Sequence, residues 1–117
     1  MGVHDRGLEA VKIARAEGVP VVFGTDLLGH MHACQSGEFF LRAAALPAVE
    51  VLHSATITAA RLMRQEAHIG QIVPGAWADL LVLDGDPTQD LSVMADPARG
   101  IRLLMQGGRV VRSRLPA

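Results

Sequence analysis

The first group in this chain with an obvious chemical use is a carboxylate at the end of an apolar run. In Val21-Val22-Phe23-Gly24-Thr25-Asp26-Leu27-Leu28-Gly29, a branched and aromatic stretch suited to a buried strand gives way to loop at Asp26. In parallel α/β architectures the carboxyl ends of strands are where chemistry is placed, so Asp26 is the leading candidate for a ligand or a proton-transfer group. His30 and His32 follow in the loop 27–35. Imidazoles at alternate positions project to one side of a strand and can chelate a metal there. In a loop that geometry is not enforced, so the two histidines are read as polar groups lining a substrate mouth beside Asp26. Gln35 and Glu38 suit capping or solvation of the next helix. Cys34 suits a small packing group, and His4, His53 and His68 suit solvent or satisfied packing.

A second acidic pattern, Asp84-x-Asp86-x-Thr88 after the apolar run 80–83, resembles the first motif of haloacid-dehalogenase-type phosphatases. That chemistry also needs a cation, usually Lys, and a later acidic pair. The single Lys is Lys12, and only 29 residues follow Thr88. Asp84-Gly85-Asp86-Pro87 is therefore read as a turn.

Composition narrows the classes. The 117 residues are 50% apolar and 20% charged, which excludes a disordered chain and allows one modest domain with a core. A net charge of −1 leaves no basic face for nucleic acid. The sequence has neither an apolar run of membrane-spanning length nor the pattern of a signal peptide. A lone cysteine gives no internal disulfide, and a cytoplasmic setting is expected.

The elements that must position Asp26 follow from periodicity. Residues 5–17 read as an amphipathic helix with Leu8, Val11 and the Ala14/Arg15 turn recurring on one face, Asp5 as its cap and Gly18 as its stop. A buried strand over 20–25 follows. Ser36 caps a short helix, 37–45, that packs through Phe39, Phe40 and Ala43. Pro47 opens a longer helix to Arg64, with Val49, Leu52, Ala55/Thr56, Ala59 and Leu62/Met63 as its buried stripe. Beyond Gln65 the pattern becomes β-like. Residues 69–73 alternate, Pro74-Gly75 turns, and 78–83 is an apolar strand. Residues 90–94 form a helical turn and 97–100 a loop. A hairpin then pairs 101–106 with 109–112 across Gly107-Gly108. Helix followed by strand is half of a βα repeat, so the chain divides into an α/β part, residues 1–64, and a β part, residues 65–117.

Four stretches together resemble the carboxyl-terminal part of the amidohydrolase superfamily, in its imidazolonepropionase-like and prolidase-like branch. They are Phe23-Gly24-Thr25-Asp26; the run from His53 to Leu62; the run from Ile69 to Pro87 with its Pro74-Gly75-Ala76-Trp77-Ala78-Asp79-Leu80; and Met105-Gln106-Gly107-Gly108-Arg109-Val110-Val111. The resemblance implies an α/β fold, with the last βα unit of a (β/α)₈ barrel in residues 1–64 and strands of a small composite β-sandwich in 65–117. It implies that residues 20–25 are the eighth barrel strand. Asp26 would then be that strand's metal ligand and proton shuttle, in the metal-activated-water hydrolysis of C–N bonds (amide, cyclic amide or dipeptide-type). The implied cofactor is one or two divalent ions, zinc being expected, and the implied partner is a small-molecule substrate.

The family's other ligands are a His-x-His after the first strand, a Lys or Glu at the fourth, and histidines at the fifth and sixth. None has a counterpart here, and His30-Met31-His32 follows the eighth strand, so it is not the first-strand pair. A complete barrel takes about 250 residues. The chain thus reads as a fragment of a larger fold, expected alone to be inactive and to retain no metal. Its expected associations are with an amino-terminal part or as a homo-oligomer. The competing reading is a stand-alone, non-catalytic α/β binding or regulatory module, with Asp26 a cap.

Overall fold

The computed structural model describes residues 2–117. It is a mixed α/β structure. Helix α1, Val3–Ala16, is followed by an extended segment over 20–25, a 3₁₀ helix at Gly29–Cys34, and helices α2 (Gly37–Ala43), α3 (Ala48–Ala55) and α4 (Ile57–Leu62). Strand β1 (Leu80–Leu83), short helices α5 (Ser92–Ala95) and α6 (Pro97–Gly100), and strands β2 (Ile101–Gln106) and β3 (Arg109–Ser113) complete the described chain.

The inward stripe expected of α1 is observed except at Arg15, which is exposed. Leu8, Val11 and Ala14 are its half-buried residues, and every other position faces water. The helix starts earlier than expected, because Asp5 lies inside the first turn and accepts the Gly2 N–H at 3.0 Å. Arg15 Nε and Nη2 donate to Glu50 Oε2 and Oε1 at 2.6 and 2.7 Å, a two-pronged clasp between α1 and α3. The hydrogen bond from Arg15 holds the Glu50 carboxyl below its ordinary range.

Several expected elements change. Residues 20–25 join no sheet, because among the described residues no strand lies beside them and a strand is defined by its partner. Residues 69–73 form no strand: 69–71 bend around Gly70, with Trp77 N–H bonded back to His68 C=O at 2.8 Å. Gly70 has φ +88, and a Cβ there would lie 2.8 Å from the Thr56 carbonyl oxygen. Close packing thus overrides the alternating pattern. The single helix expected over 47–64 breaks at Thr56, whose φ and ψ of −123 and −93 are not helical. Its hydroxyl donates to Leu52 C=O at 2.7 Å instead. Val51, Ser54 and Ala60 are the buried residues of the two helices, Leu52, Ala55 and Ala59 of the expected stripe are half-buried, and Val49, Leu62 and Met63 are exposed. In α2, Phe39 packs inward as expected, whereas Phe40 is 69% exposed and the buried residue is Arg42.

The sheet is antiparallel in the order β1-β2-β3. The β2–β3 hairpin turns on Gly107 and Gly108, both with positive φ, the conformation that its tight turn demands. Asp79 Oδ1 accepts the Gly107 N–H at 2.6 Å and ties the turn to the approach of β1. Residues 97–100, expected as loop, make the single turn of α6. That turn delivers Gly100 against α5, where its N–H bonds Asp96 C=O and its C=O accepts the Asp84 N–H, both at 2.8 Å.

The core is small. Leu46, Val51 and Leu91 are its buried centre, joined by Val11, Phe23, Phe39, Leu52 and Met94. The accessible surface is 8202 Å², against about 6100 Å² for a compact monomer of 12.4 kDa. The radius of gyration is 15.1 Å, against about 13 Å for a compact chain of this length. Large apolar side chains including Leu28, Phe40, Ile72 and Trp77 face outward.

A prediction follows from Gly100. A Cβ there would fall 1.8 Å from the Val93 carbonyl oxygen, whereas at Gly7 in α1 it meets nothing within 4 Å. Gly100→Ala is expected to destabilise the α5–α6–β1 junction by about 1–3 kcal/mol, and Gly7→Ala is expected to be neutral or stabilising. Amide hydrogen exchange at Asp84, whose N–H is bonded to Gly100, measures the difference: it accelerates about tenfold or more in the first variant and stays unchanged in the second.

Candidate functional site

Asp26 lies where the extended segment leaves the core. Phe23 anchors that segment: its N–H donates to Ser54 C=O at 3.0 Å, and its ring meets Phe39 at 4.4 Å between centroids. Three residues later the chain turns, and Asp26 adopts φ +52. A non-glycine residue in this left-handed region carries strain of roughly 1–2 kcal/mol. Asp and Asn tolerate it best among side-chain-bearing residues. The turn is bonded by Thr25, whose hydroxyl accepts the Leu27 N–H at 3.4 Å. The Asp26 carboxylate is left outside that arrangement. It is exposed and takes part in none of the three ion pairs among the described residues.

Behind the turn sits a residue that sequence patterning did not single out. Arg42, 7% exposed, reaches from α2 to the extended segment. Its Nη1 and Nη2 donate to the Val22 and Gly24 carbonyl oxygens, each at 3.3 Å. Its Nε donates to Glu38 Oε1 at 2.7 Å, and its guanidinium lies 5.1 Å from the centre of the Phe23 ring. The signal that could have found it is the Glu38/Arg42 spacing of four on a helix that also carries Phe39. Glu38, expected as a cap or a solvated group, is half-buried as the partner of this cation.

His30 and His32 lie in the 3₁₀ helix Gly29–Cys34, both exposed, as is Cys34. No group of three or more His, Cys, Asp or Glu side chains close enough to share a metal ion occurs among the described residues. Asp26 therefore stands as one available oxygen donor without companions in this chain.

Hollows lie elsewhere. One, of about 290 Å³, opens between α1 and α3 and is lined by Val11, Val21, Glu50 and His53. A second, of about 470 Å³, is lined by Asp84, Asp86, Asp90, Asp96 and Arg99. A third, of about 330 Å³, is lined by Ile57, Ala60, Glu66, Ile69 and Gln71. Asp86 in the second is occupied as a turn former. Its Oδ1 accepts the Thr88 hydroxyl at 2.6 Å and the Thr88 N–H at 2.9 Å, and these bonds hold its carboxyl below the ordinary range.

Comparison with known proteins places this geometry in context. Residues 3–111 match the model of the amidohydrolase family. A crystal structure described as an amidohydrolase superposes with a TM-score of 0.93 at 40% identity, covering 97% of this chain and 28% of that one. A prolidase complexed with N-methylphosphonate-L-proline gives 0.87 at 44% identity, over 92% of this chain and 26% of the other. A Xaa-Pro dipeptidase with methionine bound in its active site gives 0.81 at 29% identity, over 91% and 25%. A curated relative, the 5-methylthioadenosine/S-adenosylhomocysteine deaminase of Symbiobacterium thermophilum, is 35% identical over 92 residues, 68% of this chain and 21% of its own length. The chain spans about a quarter of the length of these relatives.

The backbone at Asp26 generates its own prediction. Asp26→Asn is expected to leave stability within about 0.5 kcal/mol of the parent, because asparagine also tolerates positive φ. Asp26→Val is expected to lose about 1–2 kcal/mol. Parallel urea titrations of the two variants measure the gap, and equal stabilities would show that φ +52 is not maintained in solution.

Proposed function

The chain belongs to the amidohydrolase family, and from that membership we propose that it supplies the last quarter of a metal-dependent hydrolase acting on C–N bonds, with Asp26 as its contribution to the metal centre. The observation that carries this reading is the state of Asp26: a carboxylate at the exit of an apolar segment, exposed, outside every ion pair among the described residues, in a conformation that carries strain. Strain kept at an unpaired polar group is characteristic of working sites. Residues 20–25 are read as the eighth strand of a (β/α)₈ barrel. Residues 1–64 then belong to the barrel, and 65–117 to a composite β-sandwich. The wide accessible surface and outward-facing apolar residues support a chain meant to pack on further polypeptide, and they weigh against the stand-alone module.

Asp26 fits a metal as a single oxygen donor, and the donors needed to complete a site would come from outside this chain. A bound divalent ion, of which zinc suits such chemistry, brings the pKa of its water towards neutrality. The chain's own part is proton handling. Asp26 Oδ accepts the proton released by the attacking water and returns it to the departing nitrogen as the C–N bond breaks. A prolidase and a deaminase among the relatives both expel nitrogen from carbon, so the same proton is needed in either case. His30 and His32, exposed on the turn of helix that follows Asp26, are read as substrate contacts.

Kinetics of the zinc-loaded hydrolase carrying this chain, on dipeptides with carboxyl-terminal proline and on amino-purine nucleosides, provide the test. Asp26→Asn is expected to lower kcat by about 10²–10⁴ with little change in stability, and the isolated 117-residue chain is expected to show no turnover. Full kcat in the variant, or turnover by the chain alone at the rate of the whole enzyme, would overturn the proposal.

A further inference from the structure

A buried guanidinium is an expensive way to fill space. Transferring such an ion out of water carries a penalty of several kcal/mol unless its donors are matched, and an apolar side chain of similar volume packs at least as well. Arg42 is buried and matched on three sides. Glu38 takes Nε at 2.7 Å, Phe23 lies beneath the guanidinium at 5.1 Å, and the Val22 and Gly24 carbonyl oxygens take Nη1 and Nη2 at 3.3 Å each. The two carbonyls belong to alternate residues and so lie on one edge of the extended segment. A planar fork can bridge two such acceptors, which the compact ammonium of lysine cannot do in the same way.

The place of this contact matters more than its strength. The extended segment has no sheet partner among the described residues. Gly24, two residues before Asp26, has no side chain, and nothing lies within 4 Å of where its Cβ would be. Beyond the packed ring of Phe23, the bond from Arg42 to Gly24 C=O holds the backbone at that point. On the far side of Asp26 the Thr25 hydroxyl bonds the Leu27 N–H at 3.4 Å. Asp26 is bracketed between a carbonyl held from behind and an amide held in front.

We infer that Arg42 is the positioning residue for Asp26, fixing the strand exit through the Val22 and Gly24 carbonyls so that the carboxylate is presented in one place. This rests on the reading of Asp26 as a metal ligand. Each carbonyl oxygen has a second lone pair, so the contact leaves room for neighbouring strands in a complete barrel. The role assigned to Arg42 is exerted through the Val22 and Gly24 carbonyls.

The experiment compares the hydrolase carrying this chain, loaded with cobalt(II), as parent, Arg42→Lys and Arg42→Met. Three readouts are taken: cobalt affinity with its visible d–d spectrum, kcat and KM separately, and thermal unfolding. The expected result for Arg42→Met is a kcat lower by about 10- to 100-fold, an unchanged KM, weakened cobalt binding and an altered spectrum. Arg42→Lys keeps the charge beside Glu38 but loses the fork, and is expected to fall between the two. If Arg42→Met does not fold, Arg42→Lys carries the comparison. A purely structural role would lower the unfolding temperature while leaving kcat per folded molecule and the cobalt spectrum as in the parent, and that outcome overturns the inference. A parent protein that neither binds cobalt nor hydrolyses a C–N bond would instead overturn the reading of Asp26 beneath it.

Discussion

One guanidinium organises the amino-terminal half of this structure. Arg42 sits where the helix after the turn meets the segment before it, and its plane faces acceptors from both. A residue of this kind is stable in an interior only when nearly every donor is used, so Glu38, Phe23 and the two carbonyls have little freedom to move apart. The turn at Asp26 lies on the stretch between these two constrained pieces, which also holds the 3₁₀ helix Gly29–Cys34.

Around that point the packing is economical. Val51, with no accessible surface, forms the centre of a cluster with Leu46 and Leu91, drawing one residue from the region before α5 against the helices of the first half. The break at Thr56 and the close approach of Gly70 to its carbonyl bring the return of the chain over α3 and α4. Much apolar surface remains uncovered. In the family to which the chain belongs, matching structures are about three and a half times as long.

How much was legible in advance depended on whether a signal was local. The inward face of α1 could be read from the spacing of Leu8, Val11 and Ala14, because helical periodicity needs no neighbour to be recognised. The hairpin at Gly107-Gly108 and the polar turn at Asp84-Gly85-Asp86-Pro87 were equally readable, since both are decided by φ preferences and by short side chains bonding their own backbone. Asp26 was legible as a candidate through its place at the end of an apolar run. Arg42 was not: an arginine on a short helix is ordinarily solvated, and nothing within a few residues announces that two carbonyls some 20 positions earlier require it.

Family membership, the helical face of α1, the glycine hairpin and the candidacy of Asp26 were thus determined by sequence alone, each resting on residue type and short spacing. Tertiary structure decided the rest. Residues 20–25 have strand composition but form no ladder, because hydrogen bonding between strands is a property of pairs. The helix expected over 47–64 divides at Thr56, because a hydroxyl and an approaching glycine offered that backbone a different arrangement. Burial of Arg42 in place of Phe40 was settled by where polar acceptors came together in space, and no linear pattern records that meeting.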